Sequence, residues 1–434
     1  MRLLCAAIGL LLGLIAWSPG LSGPYLFDDS VTPLSDPASQ SLSAWGRNFS
    51  ETLRPVTKIT YAIESDAGLL HLPWIRRCIS LLIHLVTAVL LLFLILRLEP
   101  RISFFVAALI AAIWLLHPVH ADGVLFISGR TAAMSAMFVL AAMLAFEKDR
   151  SLLASILFLL AILSRETALV AVLPLLVLEI TKQKSQDRWR RLIPVIVAAV
   201  VGFLWCLAIP RYRELADYSF LGRPFVASAL NQVAAVPVGL GLLLVPNKLS
   251  IDYGIPLAST KLFILGLIFY FAAIAGILLL KQKSRATAIG LALWVAALLP
   301  TQSVIPKLDA LTNRPLTLAL AGLLLALTPI LSRIRFPKKS ILSWSFGICS
   351  ILLLLLLTHA TARRSSLFQS EITLWRDAAS KSTVNARPHL QCVVLLQRQG
   401  RHQEALEELT IAREIDPFSS RIDALWKAYT EGTR

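Results

Sequence analysis

The feature that most constrains this chain is a succession of apolar runs, most of them about 15 to 25 residues long, separated by short polar segments. Helical runs of this length match the hydrocarbon thickness of a bilayer. Of the 434 residues, 56% are hydrophobic and only 16% are charged, and the mean hydropathy is +0.71. Soluble globular proteins do not have such values. The sequence therefore predicts an all-α, polytopic membrane protein.

We predict about eleven membrane-spanning helices from these runs. A further apolar stretch, 225–246, is broken by Pro237, Gly239 and Gly241. A broken segment is tolerated at membrane depth where protein or a water-filled cavity covers its backbone, so we predict a re-entrant hairpin there. The predicted spans are 3–17, 74–96, 102–116, 124–146, 152–163, 168–180, 192–209, 262–280, 286–299, 316–331 and 341–357.

The distribution of charge predicts the orientation. Much of the formal net charge of +16 lies in short basic clusters at 97–101, 147–150, 181–191, 281–285 and 332–339. Cytoplasmic loops carry such clusters, so we predict that these segments and the N-terminus are cytoplasmic. The remaining polar loops and the C-terminal tail are then exoplasmic. This interpretation makes anionic membrane lipid, not nucleic acid, the partner of the basic residues, and the compact loops favour a bacterial inner membrane.

Two domains are predicted. Residues 1–360 form the membrane domain, whose first exoplasmic loop, 18–72, contains an amphipathic helix near 43–53. Residues 361–434 form a helical tail, in which apolar residues recur at helical spacing on both sides of Gly400. This pattern is typical of a tetratricopeptide hairpin, and helices at 371–379 and 421–429 flank it. Because about three repeats are needed for independent stability, we expect the tail to dock onto the membrane domain.

An acidic pair follows the first apolar run. Asp28 and Asp29 could form a turn or cap a helix, since aspartate is favoured at both. Alternatively, one carboxylate could act as a general base on a hydroxyl at the exoplasmic surface. The spacing alone leaves both interpretations open.

The segment HPVHAD brings His117, His120 and Asp122 together before Arg130. Three such residues permit a metal site, but the signal is weak, and the five scattered cysteines add no metal-ligand spacing. Pro118 and Asp122 could instead end one helix and cap the next. A third interpretation is a phosphate site formed by His120, Arg130 and a helix N-terminus.

Further polar residues lie where predicted spans meet the exoplasmic surface. Arg165 and Glu166 join two short spans, either as an ion pair or beside a cavity. Arg314 begins a later span, and its guanidinium suits bidentate contact with phosphate. Asp252 and Tyr253 precede a glycine and form either a turn or an acceptor contact.

Taken in order, the motifs of this chain resemble those of the transmembrane and tetratricopeptide-repeat O-mannosyltransferases, which are glycosyltransferases of the GT-C class. Two departures concern Asp122, where the family has glutamate, and Asn313, which replaces an acid. The matching motifs are the acid pair at 28–29, RPVT at 54–57, His84, HPVHAD at 117–122, GRTA at 129–132, RE at 165–166, LSIDY at 249–253, NRPLTLA at 313–319 and LWRDAA at 374–379.

The resemblance implies a GT-C fold and an inverting transfer of a hexose, such as mannose, from a polyprenyl phosphate to a hydroxyl of a protein or glycan. Asp28 or Asp29 is then the base. The leaving phosphate is bound by cations, for which we assign His120, Arg130, Arg165 and Arg314. No cofactor is assigned, and a divalent cation stays open. The remaining site residues are Arg54, His117, Asp122, Glu166, Asp252 and Tyr253.

A different class of function is also compatible with the pattern. A non-catalytic membrane scaffold could recruit periplasmic partners through the repeat tail, and its exoplasmic charges would then be merely paired or solvated. A lipid or sugar transporter is disfavoured because the predicted spans carry few polar residues near mid-membrane.

Overall fold

The computed structural model describes residues 2–182, 187–220, 225–254, 259–299, 309, 311–333 and 341–431. The regular elements in these residues are helices, with short single turns between them. In chain order they are α1 Arg2–Trp17, α2 Leu42–Arg47, α3 Pro55–Asp66, α4 Pro73–Leu98, α5 Phe104–Leu115, α6 Ala121–Val124, α7 Arg130–Glu147, α8 Ser151–Ser164, α9 Val172–Ile180, α10 Arg188–Ala208, α11 Pro210–Phe220, α12 Phe225–Leu244, α13 Thr260–Leu280, α14 Arg285–Leu298, α15 Asn313–Leu331, α16 Ile341–Ser366, α17 Glu371–Lys381, α18 Arg387–Arg398, α19 His402–Ile415 and α20 Ser420–Glu431.

Within these ranges, seven helices are long and apolar enough to cross a membrane, namely α4, α7, α10, α12, α13, α15 and α16. An eighth candidate is α5 with the segment Pro118–Val124, which are bent by 45° relative to each other. Shorter apolar helices lie at α1, α8 and α14. The prediction of an all-α, polytopic membrane protein is therefore confirmed. The number of about eleven spans stays a prediction.

The re-entrant hairpin predicted at 225–246 is wrong. The segment forms one continuous helix, α12, of 20 residues with Pro237 inside it. Neighbouring helices cover this helix closely, since a Cβ on Gly266 would lie 2.2 Å from the Val233 carbonyl oxygen, and one on Gly239 would lie 3.1 Å from the Leu316 side chain. Proline and glycine do not break a membrane helix that is packed in this way.

Charged residues gather at both ends of the bundle. At one end, which we call the basic end, ion pairs join residues of the clusters predicted at 97–101, 147–150, 181–191 and 281–285. Residues 183–186 and 334–339 of the predicted basic clusters lie outside the described residues. The opposite end, which we call the loop end, holds the first loop, the segment 117–130 and residues 249–254. Charge patterning thus predicted which polar segments meet.

The tail is a set of four helices, α17 to α20, that packs on the loop end. Helices α18 and α19 form a hairpin whose turn is Gly400, with a φ of 71°, and the α19 residues Ala405, Leu409 and Ala412 are fully buried. The docking includes polar contacts, since Arg387 Nε donates to Asp252 at 2.5 Å and Lys381 Nζ donates to the Leu249 carbonyl at 2.8 Å. Helix α16 runs past residue 360, where we predicted the boundary of the tail. The tetratricopeptide assignment stays a prediction.

The first loop differs from its prediction. The helix expected near 43–53 is the short α2, Leu42–Arg47, whereas the longer α3, Pro55–Asp66, was not predicted. Helix α3 begins at Pro55, a residue favoured at the first position of a helix, directly after Arg54 in a left-handed conformation with a φ of 57°. It buries Tyr61 and Glu64 against the bundle, so it forms one wall of the loop end.

Candidate active site at the loop end

A polar cavity of about 540 Å³ opens at the loop end. Its walls come from the first loop, α3, the start of α7, α11 and the first turn of α15. Segments that are far apart in the chain therefore place both acids and cations around one space. Its charged lining residues are Asp28, Asp36, Arg54, Lys58, Arg211, Glu214 and Arg314.

Of the two predicted acids, Asp28 is the one that faces this cavity. It lies in the helical turn Phe27–Ser30, and its side chain is 44% exposed. Its Oδ2 atom accepts a hydrogen bond from Arg314 Nη2 at 3.0 Å. The pair joins a possible proton acceptor to a cation across 286 positions of the chain.

Asp29 has the structural role that the sequence left open. Its side chain is fully buried. Its two carboxylate oxygens accept from backbone N–H groups, Oδ2 from Leu26 at 3.2 Å and Oδ1 from Ser128 at 2.8 Å. Asp29 thus anchors the turn that presents Asp28, and because its side chain is fully buried and does not line the cavity, it is poorly placed to take a proton from a substrate.

Two of the predicted phosphate ligands, Arg165 and Arg314, both line a narrow, mostly apolar groove of about 40 Å³ between α7, the turn Glu166–Ala171, α14 and α15. Arg165 is only 8% exposed, and it donates to the hydroxyls of Thr131 at 3.4 Å and Thr167 at 3.3 Å. It forms no ion pair with any residue that the structure describes. Arg314 lines both this groove and the polar cavity, so it connects the two spaces.

Glu166 forms an ion pair with Arg54 and not with Arg165, the partner that the sequence analysis considered. Arg54 Nη2 and Nε donate to the two Glu166 carboxylate oxygens at 2.7 and 2.9 Å. Although burial opposes ionisation, the Arg54 guanidinium lowers the pKa of the Glu166 carboxyl to about 2. Burial, together with the positive charge of Arg54, lowers the pKa of Arg165. Glu166 therefore pairs directly with Arg54, and Arg165 stays beside the groove without an ion pair among the described residues.

The HPVHAD segment, residues 117–122, is buried inside the bundle. His120 is 1% exposed, and its ring contacts the Trp114 and His84 rings at tilted angles, with centroids 4.4 and 4.8 Å away. Its Nδ1 lies 3.3 Å from the Thr317 hydroxyl, and it lines a small cavity separate from the one that holds the arginines. The structure therefore does not bring His120 to Arg165 and Arg314. Its contact with Thr317 instead helps to orient α15.

His117 and Asp122 also make structural contacts. The His117 Nε2 lies 3.1 Å from the Leu243 carbonyl, and the Asp122 Oδ2 accepts from the Asn313 amide at 3.1 Å. Asn313 precedes Arg314, so this contact fixes the first turn of α15. Within the described ranges, no three histidine, cysteine, aspartate or glutamate residues are close enough to hold a metal ion.

The assignment of Arg130 to the phosphate is corrected. Its side chain is fully buried and is engaged by protein on all three nitrogens: it pairs with Glu64 and also donates to Ser80 Oγ at 3.1 Å and to the Arg76 carbonyl at 2.7 Å. Its guanidinium lies over the Tyr61 ring, 4.8 Å from the centroid. A guanidinium whose donors are already bonded inside the protein is not free to bind a phosphate.

Asp252 and Tyr253 are likewise used within the fold. Asp252 is 3% exposed and holds the tail through Arg387 and Asn385. The Tyr253 hydroxyl donates to Asn313 Oδ1 at 2.7 Å. Neither lines the polar cavity, so the structure favours the turn over the acceptor contact.

Several cavity residues were missed by sequence reasoning. Helix α11 was treated as a loop, but Arg211, Glu214, Leu215 and Tyr218 all face the cavity. Their spacing of three to four residues is helical, and this is the signal that could have identified them. Lys58 lies one turn after Arg54 on α3 and pairs with Asp36.

Fold and site together define a multi-span α-helical membrane protein with carboxylates and guanidinium groups around a cavity at one end of the bundle. No protein family model matches the chain. It is similar to the Protein O-mannosyl-transferase F38B6.6 of Caenorhabditis elegans, with 26% identity over 440 aligned positions, which cover 94% of this chain and 62% of that protein. The resemblance predicted from the motifs is thereby confirmed. The chain spans less than two thirds of that relative's length.

Among solved structures, the chain is similar to the crystal structure of ArnT from Cupriavidus metallidurans bound to undecaprenyl phosphate. The TM-score is 0.45 and the identity is 15%, over 99% of this chain and 77% of that one.

Proposed function

We propose that the chain is an integral-membrane glycosyltransferase that moves a hexose, such as mannose, from a polyprenyl phosphate to a hydroxyl of a protein or glycan. The observation that carries this proposal is the contact between Asp28 and Arg314 at the junction of a polar cavity and an apolar groove. Transfer from a lipid phosphate needs a base, such as an ionised carboxylate, that accepts the proton of the hydroxyl, and cations that stabilise the departing phosphate. Similarity to a protein O-mannosyltransferase supports the same class.

The donor phosphate is best accommodated between Arg165 and Arg314. Both guanidinium groups line the groove, and its other lining residues are mostly small or apolar. Because a charge in an apolar setting is costly without a counter-charge, the unpaired Arg165 is suited to an anionic ligand.

The proposed reaction is a single displacement with inversion. The acceptor oxygen attacks the anomeric carbon, its proton passes to Asp28, and the bond between that carbon and the phosphate oxygen breaks. The electron pair of the broken bond remains on the phosphate, whose charge Arg165 and Arg314 stabilise. An incoming phosphate also competes with Asp28 for Arg314, which frees the carboxylate to accept the proton.

The acceptor reaches this point through a second cavity of about 420 Å³. It adjoins the first, because Asp36, Arg211 and Glu214 line both. The joint space is polar and leads from Asp28 to the surface between the first loop and α11. Its polar and charged lining suits a polypeptide segment or a glycan chain better than a lipid.

The orientation follows from the two ends of the bundle. Because cytoplasmic loops are rich in Lys and Arg, we infer that the basic end is cytoplasmic and the loop end exoplasmic. Helix α1 ends at the loop end, so the N-terminus lies inside, and the tail lies outside, in the periplasm if the membrane is a bacterial inner membrane. A lipid-linked donor is consistent with the lack of nucleotide sugars in that compartment.

The test uses purified protein in detergent with radiolabelled polyprenyl-phosphate mannose and, separately, polyprenyl-phosphate glucose. We expect one donor to be consumed in the presence of a hydroxyl-bearing peptide or glycan, and the Asp28→Asn variant to consume neither. Failure of the wild type to consume either donor, in protein shown to be folded, would contradict the proposal.

A further inference from the structure

The C-terminal tail contacts the turn that carries Asp28. The Phe27 ring lies edge to face on the Trp375 ring, with centroids 5.1 Å apart and planes at 82°. Trp375 belongs to α17, the first helix of the tail, and its neighbour Leu374 lies in a buried cluster that also contains Leu26. Two successive residues of α17 thus meet the two residues that precede Asp28.

The backbone of Phe27 is in an unfavourable conformation. Its φ is +43°, in the left-handed region that bulky side chains rarely adopt. Such a conformation persists only where the surroundings hold it, and it is found preferentially at functional sites. On one side of Phe27 the turn is anchored by the bonds of Asp29 to backbone N–H groups. The Trp375 ring supplies the contact on the Phe27 side chain.

Trp375 is itself held rigidly. It is 1% exposed and belongs to the apolar core of the tail, with Leu390, Val393 and Leu409. The tail in turn is attached to the membrane domain through Arg387 and Asp252. A continuous set of contacts therefore leads from the core of the tail through Trp375 and Phe27 to the Asp28 turn.

We propose that Trp375 is a positioning residue for Asp28, so that the tail is part of the active site and not an appended module. This inference rests on the proposed function for its effect on catalysis. A displacement of about 1 Å at a catalytic group can lower the rate by about 100-fold. Loss of the Trp375 ring should therefore lower kcat, while the arginines that bind the donor keep their positions on α15 and beside α8.

The experiment compares full-length wild type with Trp375→Ala, Trp375→Phe and Val393→Ala. Val393 is fully buried in the core of the tail, so its replacement loosens the tail without removing the ring on Phe27. Hydrogen exchange at residues 26–31 reports the turn directly, because the Asp29 amide is bonded to the Leu26 carbonyl at 2.9 Å. Steady-state assays give kcat and the KM for the donor.

For Trp375→Ala we expect faster exchange at 26–31, a kcat lower by about 10- to 100-fold and an unchanged donor KM. Trp375→Phe should keep most of the slow exchange at 26–31 and most of the wild-type kcat, since a phenyl ring can keep an edge-to-face contact. Val393→Ala should leave exchange at 26–31 as in the wild type.

Equal exchange at 26–31 in the wild type and Trp375→Ala overturns the inference, whatever the activity. Exchange at 26–31 that is accelerated equally in Val393→Ala also overturns it, because the effect of Trp375→Ala would then come from a general loss of tail stability and not from the contact with Phe27. If the wild type consumes no donor but Trp375→Ala still exchanges faster than Val393→Ala, the proposed function fails and the link between tail and turn stands.

Discussion

The two ends of the bundle gather the same kinds of side chain but arrange them differently. At the basic end, Arg285 binds Glu147 through two hydrogen bonds of 2.8 and 2.6 Å, and Arg191 pairs with the buried Glu179 at 2.9 Å. At the loop end, Asp28 and Arg314 pair at 3.0 Å on the wall of a cavity of about 540 Å³. Arg165 there forms no ion pair with any of the described residues.

This contrast distinguishes ion pairs that hold a fold from ion pairs that can be exchanged for a ligand. A buried carboxylate that loses its cation is left with an uncompensated charge, so the pairs of Glu147 and Glu179 at the basic end are structural. A pair beside a cavity can open, because a phosphate can replace the carboxylate at the guanidinium. Charge clustering alone, which is similar at both ends, does not identify the active site.

The largest expected effect is that of Asp28→Asn. The variant keeps the shape of the side chain but cannot accept a proton, so turnover should fall by about 100- to 10,000-fold with no loss of folded protein. The measurement is donor consumption per mole of monodisperse protein.

The matched variant at the other end is Glu147→Gln, which should lower the melting temperature and leave turnover per folded molecule within about threefold of the wild type. Persistence of turnover in Asp28→Asn would remove the base assignment and, with it, the difference between the two ends.

The next effect concerns donor affinity in Arg314→Ala. A charge-assisted hydrogen bond contributes about 1.5 to 3 kcal/mol, so the dissociation constant for the donor should rise by about 10- to 100-fold. Arg285→Ala is the control. It breaks the pair with Glu147 and should cost about 2 kcal/mol of stability, less than a fully buried pair because Arg285 is 25% exposed.

Titration of a lipid phosphate by tryptophan fluorescence separates these two variants. Weaker binding in Arg285→Ala as well would show that the loop end has no special part in donor binding.

A smaller effect on donor affinity is expected from Arg165→Ala. Its effect on stability should be opposite in sign to that of Arg285→Ala, or absent. Removal of a nearly buried cation that forms no ion pair should leave the free energy of unfolding unchanged or raise it by about 1 kcal/mol. The same change should weaken donor binding by about tenfold, because one phosphate contact is lost. A variant that is destabilised but binds the donor normally would indicate that Arg165 is structural.

The smallest effect is a pH dependence at the Arg54 and Glu166 pair. Arg54 lowers the pKa of Glu166 to about 2, so the stability from this pair is fully present above the ordinary glutamate pKa and is lost as the pH falls toward 2. The difference in stability between the wild type and Glu166→Gln should therefore be constant above pH about 5 and shrink below it.

Thermal unfolding in detergent between pH 7 and 3 measures this difference. At the basic end, Asp149→Asn should show a weaker trend, because Asp149 is 59% exposed and its pair with Lys182 is screened by water. Similar curves for the two variants would contradict the contrast in burial.

Local patterns predicted the parts of this protein that depend on neighbouring residues. The flanking helices of the tail, the turn at Gly400 and most apolar helices follow from hydropathy and periodicity over a few turns. The continuity of helix α12 could not be predicted from its own sequence. Whether Pro237 interrupts a helix depends on the helices that pack against it, α13 and α15. Helix α11 was missed because its polar sequence resembles a loop unless its helical spacing is counted.

By itself, the sequence determined the class of protein, the grouping of basic segments at one end and the set of acids and guanidinium groups from which a site could be made. Only the tertiary structure decided among them. It placed Asp28 at the cavity and Asp29 in the core. It also left Arg165 without an ion pair among the described residues, whereas Arg130 is paired with Glu64 inside the protein. The physical reason is that the partners of these groups lie far away in the chain, so burial and pairing, which decide whether a charge can serve a ligand, are properties of the packed molecule.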